Sequence, residues 1–149
     1  MGVFTEEIVL TNERDEILAA EGLVRGHGVR RATVSALVDS GATMLVIPET
    51  LRQELGLGLA DRKLIGLADG SVLECDVVGP VRVEFQGRKS VGSAIVVPGR
   101  ANVLLGALQM EEMDLLVDPL LRRLIPNPRS PERAMAMAVG VIVHGSAPE

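Results

Sequence analysis

The segment SALVDSGATMLVIPETL, residues 35–51, interrupts an apolar strand with Asp39-Ser40-Gly41 and then resumes it with residues 44–47. A lone carboxylate in an apolar interior is costly unless it is paired, hydrogen-bonded or protonated. Gly41 permits a tight turn in which backbone amides reach the carboxylate, and Ser40 offers a hydroxyl that can fix the loop. The alternative is a turn aspartate that caps local amides, which the flanking apolar strands disfavour.

The residues before this segment predict strands separated by turns. Residues 4–10 form a first strand, and the polar run TNERDE, residues 11–16, reads as a turn. Residues 17–23 fit either a strand or a short helical turn. Gly26-His27-Gly28 predicts a hairpin tip, and a β-branched strand runs from Ala32 into the acidic segment.

The residues after the segment predict two hairpins and two short helices. Pro48 begins a helix that Gly56 stops. Asp69-Gly70 and Gln86-Gly87 mark hairpin turns. A second helix covers residues 107–113, and short strands follow at 115–117 and within the run RRLIPNP, residues 122–128. The sum is an all-β fold, a closed or partly open β-barrel with one or two short helices.

Composition excludes several function classes. The 149 residues carry a net charge of −5, and Lys and Arg form no cluster larger than a pair, so we expect no nucleic-acid partner. The apolar run at residues 134–143 is too short to span a bilayer, and the acidic N-terminus is unlike a secretory signal. We therefore expect a cytoplasmic protein with no membrane contact. Cys75, the single cysteine, is expected in the core.

The spacing and neighbours of the residues involved argue against a metal site, a nucleophilic serine and a phosphate-binding loop. The two histidines, His27 and His144, have no ligand spacing that would suit a metal. The neighbours of Ser40 do not form a nucleophile elbow, and the glycines of GLGLAD, residues 56–61, follow a helix rather than a strand. We expect no metal and no cofactor, which leaves Asp39 as the candidate.

Three sequence motifs, in the same order along the chain, resemble those of the retropepsin-like aspartic proteases, most of all the single-domain bacterial members. ALVDSGATMLVIP, residues 36–48, follows the family pattern of two apolar residues, Asp, Ser or Thr, Gly, Ala, and Ser or Thr. IGLADGSVLE, residues 65–74, takes the place of the family's flap hairpin. Leu104-Leu105-Gly106 supplies the downstream apolar-apolar-Gly triplet before a short helix. The resemblance spans about residues 3–126 and implies an acid-protease-type barrel.

The resemblance also implies a mechanism. The family uses two carboxylates that share one proton, because like charges in contact cannot both be ionised. This sequence has one Asp followed by Ser or Thr and Gly, so a symmetric homodimer would supply Asp39 twice. One carboxylate would activate water and the other would polarise the scissile carbonyl of a peptide or protein substrate.

Supporting roles follow from the same resemblance. The acidic loop is supported by Ser40, Gly41, Ala42 and Thr43; the flap that binds substrate consists of Gly66, Leu67, Ala68, Asp69 and Gly70; the second loop consists of Leu104, Leu105 and Gly106. The viral members carry an Arg shortly after the triplet, where it braces the dimer, whereas this chain has Ala107 and Leu108.

We expect residues 1–128 to form the protease domain and residues 129–149 a C-terminal extension that packs on it or contacts a partner chain. The apolar run at 134–143 is expected to be a packing strand or helix. A non-catalytic dimerisation or peptide-binding module of the same fold remains the alternative function. The intact Asp39-Ser40-Gly41 string favours the protease, since a binding module needs no buried carboxylate.

Overall fold

The computed structural model describes residues 4–23 and 27–138. Its strands and helices in chain order are β1 (Phe4–Asn12), α1 (Glu13–Ala20), β2 (Arg31–Val38), β3 (Leu45–Ile47), α2 (Glu49–Leu55), β4 (Gly58–Gly66), β5 (Val72–Phe85), β6 (Arg88–Val96), β7 (Val103–Leu105), α3 (Ala107–Glu112), β8 (Leu115–Asp118) and β9 (Arg123–Pro126). None of the helices in this part of the chain is both long and apolar enough to cross a membrane.

Six of the strands close into a barrel. They follow the order β1-β2-β7-β3-β6-β5, and pairing of β1 with β5 closes the ring, while β4 extends the sheet from β5. The mainly β, acid-protease-type barrel that the sequence predicts is therefore confirmed. Strands β8 and β9 form a separate two-stranded sheet.

The short central strands are buried on both faces, which is why they read as unbroken apolar runs. Because side chains alternate along a strand, Leu45 and Ile47 of β3 point into the main core, while Val46 points to the opposite face. Strands β6 and β7 divide their side chains in the same way. The opposite face carries a second apolar cluster: Val46, Cys75, Ile95, Val97 and Leu104. The expected burial of Cys75 is confirmed.

The predicted hairpins and helices form, with small shifts. Gln86 and Gly87 both take positive φ in the turn between β5 and β6. Gly56 ends α2 in the left-handed conformation, as expected, at φ 64°. Pro48 is the extended residue that caps α2, so the helix begins one residue later than predicted. Helix α3 likewise ends at Glu112, one residue early.

The expectation of a turn at residues 11–16 is wrong. Thr11 and Asn12 continue β1, and the next residues begin α1. The Asn12 side chain accepts a hydrogen bond from the Asp15 amide at 3.0 Å, which caps the helix. Acidic side chains in the first turn favour the same helix through its dipole. The predicted hairpin tip at Gly26-His27-Gly28 lies partly outside the described residues.

A buried arginine ties the segment after β9 to the barrel. Arg88 at the start of β6 donates to the backbone oxygens of Met113, at 3.3 Å, Asp114, at 3.0 Å, and Ser130. The Asp114 carboxylate in turn accepts from the Ser130 hydroxyl. Residues 134–138 contain no helix or strand, and the rest of the expected apolar tail element lies outside the described residues. The domain boundary at residue 128 stays a prediction.

We expect Arg88→Met to destabilise the fold. The substitution leaves three backbone oxygens without their donor, and the cost of such buried acceptors is roughly 2–4 kcal/mol in total. Urea unfolding measures it, with Lys89→Met as the matched control because Lys89 is the exposed neighbour on the same strand. Equal midpoints for the two variants would contradict this role for Arg88.

Acidic pH should remove the contribution of the Asp114 carboxylate to the free energy of unfolding. Hydrogen bonds from the Ser130 hydroxyl, the Asn127 amide and the Met135 backbone lower the pKa of this carboxyl. A carboxyl whose pKa is lowered in the folded state stabilises the fold fully at pH values above its unfolded-state pKa of about 4. This stabilisation is lost as the pH falls from there through the folded-state pKa. The stability gap between wild type and Asp114→Asn should therefore shrink at acid pH in urea titrations. The Asn variant suits the left-handed backbone there, at φ 56°. A gap independent of pH would refute this account.

Candidate active site

Asp39 follows β2 directly and lies on the face of the sheet that carries the second apolar cluster. Leu37 precedes it by two residues, so both side chains point to the same face, and Leu37 packs against the second apolar cluster. The Asp39 amide donates to the Leu105 oxygen at 3.1 Å, which extends the pairing of β2 with β7 by one residue. The carboxylate is partly exposed.

The acidic loop holds one carboxylate oxygen and leaves the other open. The Gly41 amide donates to Asp39 Oδ1 at 2.9 Å, and the Ala42 amide donates to the Asp39 backbone oxygen at 3.1 Å. A Cβ on Gly41 would lie 3.2 Å from Oδ1, so the small residue permits this approach. Oδ2 accepts no hydrogen bond from residues 4–23 or 27–138, which leaves it available to a water or a second carboxyl.

Gly106 lets the second loop press against the acidic loop. The Ala107 amide donates to the Ala42 oxygen at 2.8 Å, and the Leu108 amide donates to the Thr43 oxygen at 3.0 Å. A Cβ on Gly106 would lie 2.6 Å from the Met44 oxygen and 2.9 Å from the Ala42 oxygen. The close contact explains in physical terms why the apolar-apolar-Gly triplet ends in glycine.

A groove of about 450 Å³ runs between the acidic loop and the flap hairpin. Its lining comprises Asp39, residues 41–44 and 64–68, Val46, Ile95, Val97, Arg100 and Leu104. The floor consists of four members of the second apolar cluster, all except Cys75. Among these lining residues the charged ones are Asp39 and Arg100, so the groove of one chain offers one acid.

The flap turn at residues 67–71 falls at the predicted Asp69-Gly70 position, but its loop has three residues, 68–70, instead of the two that an Asp-Gly turn predicts, and of these Gly70 alone takes positive φ. The Leu67 amide donates to the Ser71 oxygen at 2.8 Å, and Gly70 takes φ 87°. Asp69 Oδ1 accepts from the Ser71 hydroxyl at 2.5 Å and from its amide at 2.9 Å. These two bonds lower the pKa of the Asp69 carboxyl, with the hydroxyl as the larger cause. Asp69 is therefore a fixed anion at the hairpin tip.

Most of the predicted site residues meet in the groove, and the others lie elsewhere. The groove brings together Asp39, Gly41, Ala42, Thr43, Gly66, Leu67, Ala68 and Leu104. Asp69 lines a neighbouring recess, while Leu105 and Gly106 lie beneath the acidic loop. Gly70 borders neither cavity.

Ser40 lies apart from the groove, in a mainly apolar recess with Ala107, Met110, Glu111 and residues 114–117. Its hydroxyl makes no hydrogen bond within the described ranges. The lock within one chain that the sequence suggested is therefore absent there, and backbone hydrogen bonds hold the loop instead.

Sequence reasoning missed the groove residues supplied by the connection between β6 and β7. Val97 and Arg100 reach the groove from this connection, and Ile95 precedes it on β6. A signal was present, because Pro98-Gly99 is a strong turn dipeptide placed just before the Leu104-Leu105-Gly106 triplet.

Cys75 packs within the second apolar cluster and is not among the residues that line the groove. The side chain is buried, and desolvation, followed by the nearby Asp76 charge, raises the pKa of the thiol. A thiol with a raised pKa is a poor nucleophile at neutral pH.

Comparison with known proteins agrees with the geometry. A family model described as aspartyl protease matches residues 21–109, which is more than half of the chain. The matched range contains the acidic loop, the flap hairpin and Gly106. No curated protein matches the chain significantly. A special kinship with bacterial members stays a prediction.

Gly106→Ala should displace the acidic loop. The new Cβ meets backbone oxygens rather than flexible side chains, and overpacking of this kind costs about 1–3 kcal/mol. We expect a lower urea midpoint and faster amide exchange at Gly41 and Ala42. Gly92→Ala is the matched control, because a Cβ there meets no atom within 4 Å. Unchanged exchange in the Gly106 variant would contradict the packing argument.

Proposed function

The chain belongs to the aspartyl protease family, and we propose that it hydrolyses peptide bonds as a homodimer with Asp39 from each chain in the catalytic pair. The observation that carries the proposal is the setting of Asp39. One carboxylate oxygen is held by the Gly41 amide, the other is unengaged within the described residues, and both lie at an apolar groove beneath a hairpin.

The need for a second chain follows from the charge content of the groove. Acid–base hydrolysis by carboxylates needs one that accepts a proton and one that donates it. The lining of one groove contains a single acid, Asp39. A two-fold axis beside Asp39 would bring its copy to the same water and would make both halves of the site identical.

The surface next to Asp39 supports such a dimer. Ser40, the following residue, is exposed and borders a recess of about 350 Å³ whose lining from α3, β8 and their connection is mainly apolar and includes Glu111 and Asp114. Leu116 in that recess is 45% exposed, and Leu120 at the tip of the β8–β9 hairpin is 91% exposed. Apolar surface of this kind is stabilised when a second protein surface covers it.

In the proposed reaction, a water lies between the two Asp39 carboxyls. The ionised carboxylate takes a proton from the water, whose oxygen adds to the scissile carbonyl carbon. The protonated partner donates its hydrogen to the carbonyl oxygen, which gives a tetrahedral diol. The carboxyl that took the water's proton then gives it to the amide nitrogen, and the other carboxylate takes a proton from a diol hydroxyl as the C–N bond breaks, which leaves an acid, an amine and the starting carboxyl pair. The Gly41 amide keeps Oδ1 oriented throughout.

The groove favours an extended peptide with apolar side chains near the cleaved bond. Its floor consists of Val46, Ile95, Val97 and Leu104, with no aromatic residue among them. Gly66, Leu67 and Ala68 of the flap also line the groove, and because the flap turn uses the Leu67 backbone, it is the backbone of Gly66 and Ala68 that can pair with an extended chain in the manner of an added strand.

We expect Asp39→Asn to abolish cleavage of an apolar peptide library, because the amide can neither accept nor donate the required proton. Mass spectrometry of the products measures cleavage, and Asp61→Asn is the matched control on an exposed strand residue. An active Asp39→Asn variant would exclude this mechanism. A wild type that binds peptides and cleaves none would instead favour the peptide-binding module.

Co-expression of wild type with Asp39→Asn tests the pairing. Random assembly of equal amounts leaves about one quarter of the dimers with two aspartates, so activity should fall to about a quarter of the all-wild-type value at equal total chain. A fall to one half would show that each chain works alone.

A further inference from the structure

Arg100 stands at the groove in a position fixed by the backbone. Pro98 and Gly99 occupy the centre of a turn after β6, with Gly99 at φ 78°, and the Arg100 amide donates to the Val97 oxygen at 3.2 Å. This turn requires positive φ at its third residue, which glycine supplies. The turn therefore presents the Arg100 side chain from the connection opposite the flap.

The guanidinium has no partner within the described chain. It makes no hydrogen bond or ion pair with residues 4–23 or 27–138, and the residue is exposed. Other arginines, by contrast, are engaged: Arg30 pairs with Asp15, Arg82 with Glu13, and Arg52 with Glu49. An unpaired cation beside an apolar groove offers five donors in a planar fork that suits a carboxylate.

Arg100 also joins two cavities. It lines the groove that contains Asp39 and a second recess of about 550 Å³, and Leu67, Ala68 and Val97 line both as well. A peptide extended along the groove past Asp39 would therefore pass Arg100. Among the residues that line either cavity, Arg100 is the only cation.

We propose that Arg100 selects an acidic side chain of the substrate, a Glu or Asp placed outside the apolar residues at the cleaved bond. This specificity rests on the peptide-cleaving function proposed above. The substrate class is then an extended peptide with an apolar centre and a carboxylate on one side. The carboxylate accepts from the Arg100 guanidinium, while the apolar side chains lie on Val46, Ile95 and Leu104.

The acidic net charge of the chain does not oppose this selection. The net charge is −5, but charges more than about 10 Å apart are largely screened at moderate salt. Direct contact with the Arg100 guanidinium, rather than the distant net charge, therefore decides which substrate side chain binds beside it. Asp69 keeps its charge although Ser71 holds its Oδ1, but it lines the recess and not the Asp39 groove, where Arg100 is the cation.

Peptide binding to the Asp39→Asn protein tests the proposal without cleavage. Fluorescein-labelled peptides with a central apolar pair carry Glu, Gln or Lys at each flanking position in turn, and anisotropy gives their affinities. At one position Glu should bind about fivefold more tightly than Lys, with Gln between them. Arg100→Glu in the same background should reverse that order, and high salt should reduce it.

Arg129→Glu is the matched control, because it makes the same charge change at an exposed residue that lines neither cavity. Equal affinity for Glu and Lys peptides, a preference that survives Arg100→Glu, or no binding of any peptide would overturn the proposal.

Cleavage of the same peptides by wild type separates the two proposals. Charge-selective binding without any cleavage would refute the proposed hydrolase activity and support the role of Arg100. Cleavage with no charge preference would support the hydrolase activity and refute the role of Arg100.

Discussion

The close backbone contact between Gly106 and the acidic loop is the constraint on which the site depends. Hydrogen bonds from Ala107 and Leu108 to the oxygens of Ala42 and Thr43 hold the two loops at a distance that only glycine allows. The acidic loop can then direct the Gly41 amide at Asp39 Oδ1. A carboxylate on a loose turn would reorient in solvent, whereas this one is oriented before substrate arrives.

The central sheet supplies the groove without weakening the core. Strands β3, β6 and β7 fill the main core with one set of side chains and floor the groove with the alternate set. The groove is thus the reverse side of the core, and its apolar floor loses water when a peptide covers it. Two charges interrupt the lining, Asp39 at the acidic loop and Arg100 after the Pro98-Gly99 turn. We assign the chemistry to the first and the choice of side chain to the second.

Local turn chemistry made much of this predictable from the sequence. The Asp69-Gly70 turn, the Gly56 helix end and the Asp39 loop each follow from a few adjacent residues. The start of α1 was missed although Asn12 and the acids after it are a helix-start signal, because the polar run also suits a turn. Arg88 was beyond local reasoning, because its role depends on contacts between segments distant in sequence, such as Arg88 with Ser130. The Pro98-Gly99 pair indicates a turn, but that Arg100 lines the groove depends on how the connection packs beside the flap.

The central claim is that two chains share one site, and binding stoichiometry tests it most directly. A peptide of apolar residues with a secondary alcohol in place of the scissile amide resembles the tetrahedral intermediate and cannot be cleaved. Calorimetric titration of the wild-type protein with this peptide should saturate at one peptide per two chains. Saturation at one peptide per chain would show that each groove is a separate site, and it would contradict the shared pair of Asp39 carboxyls.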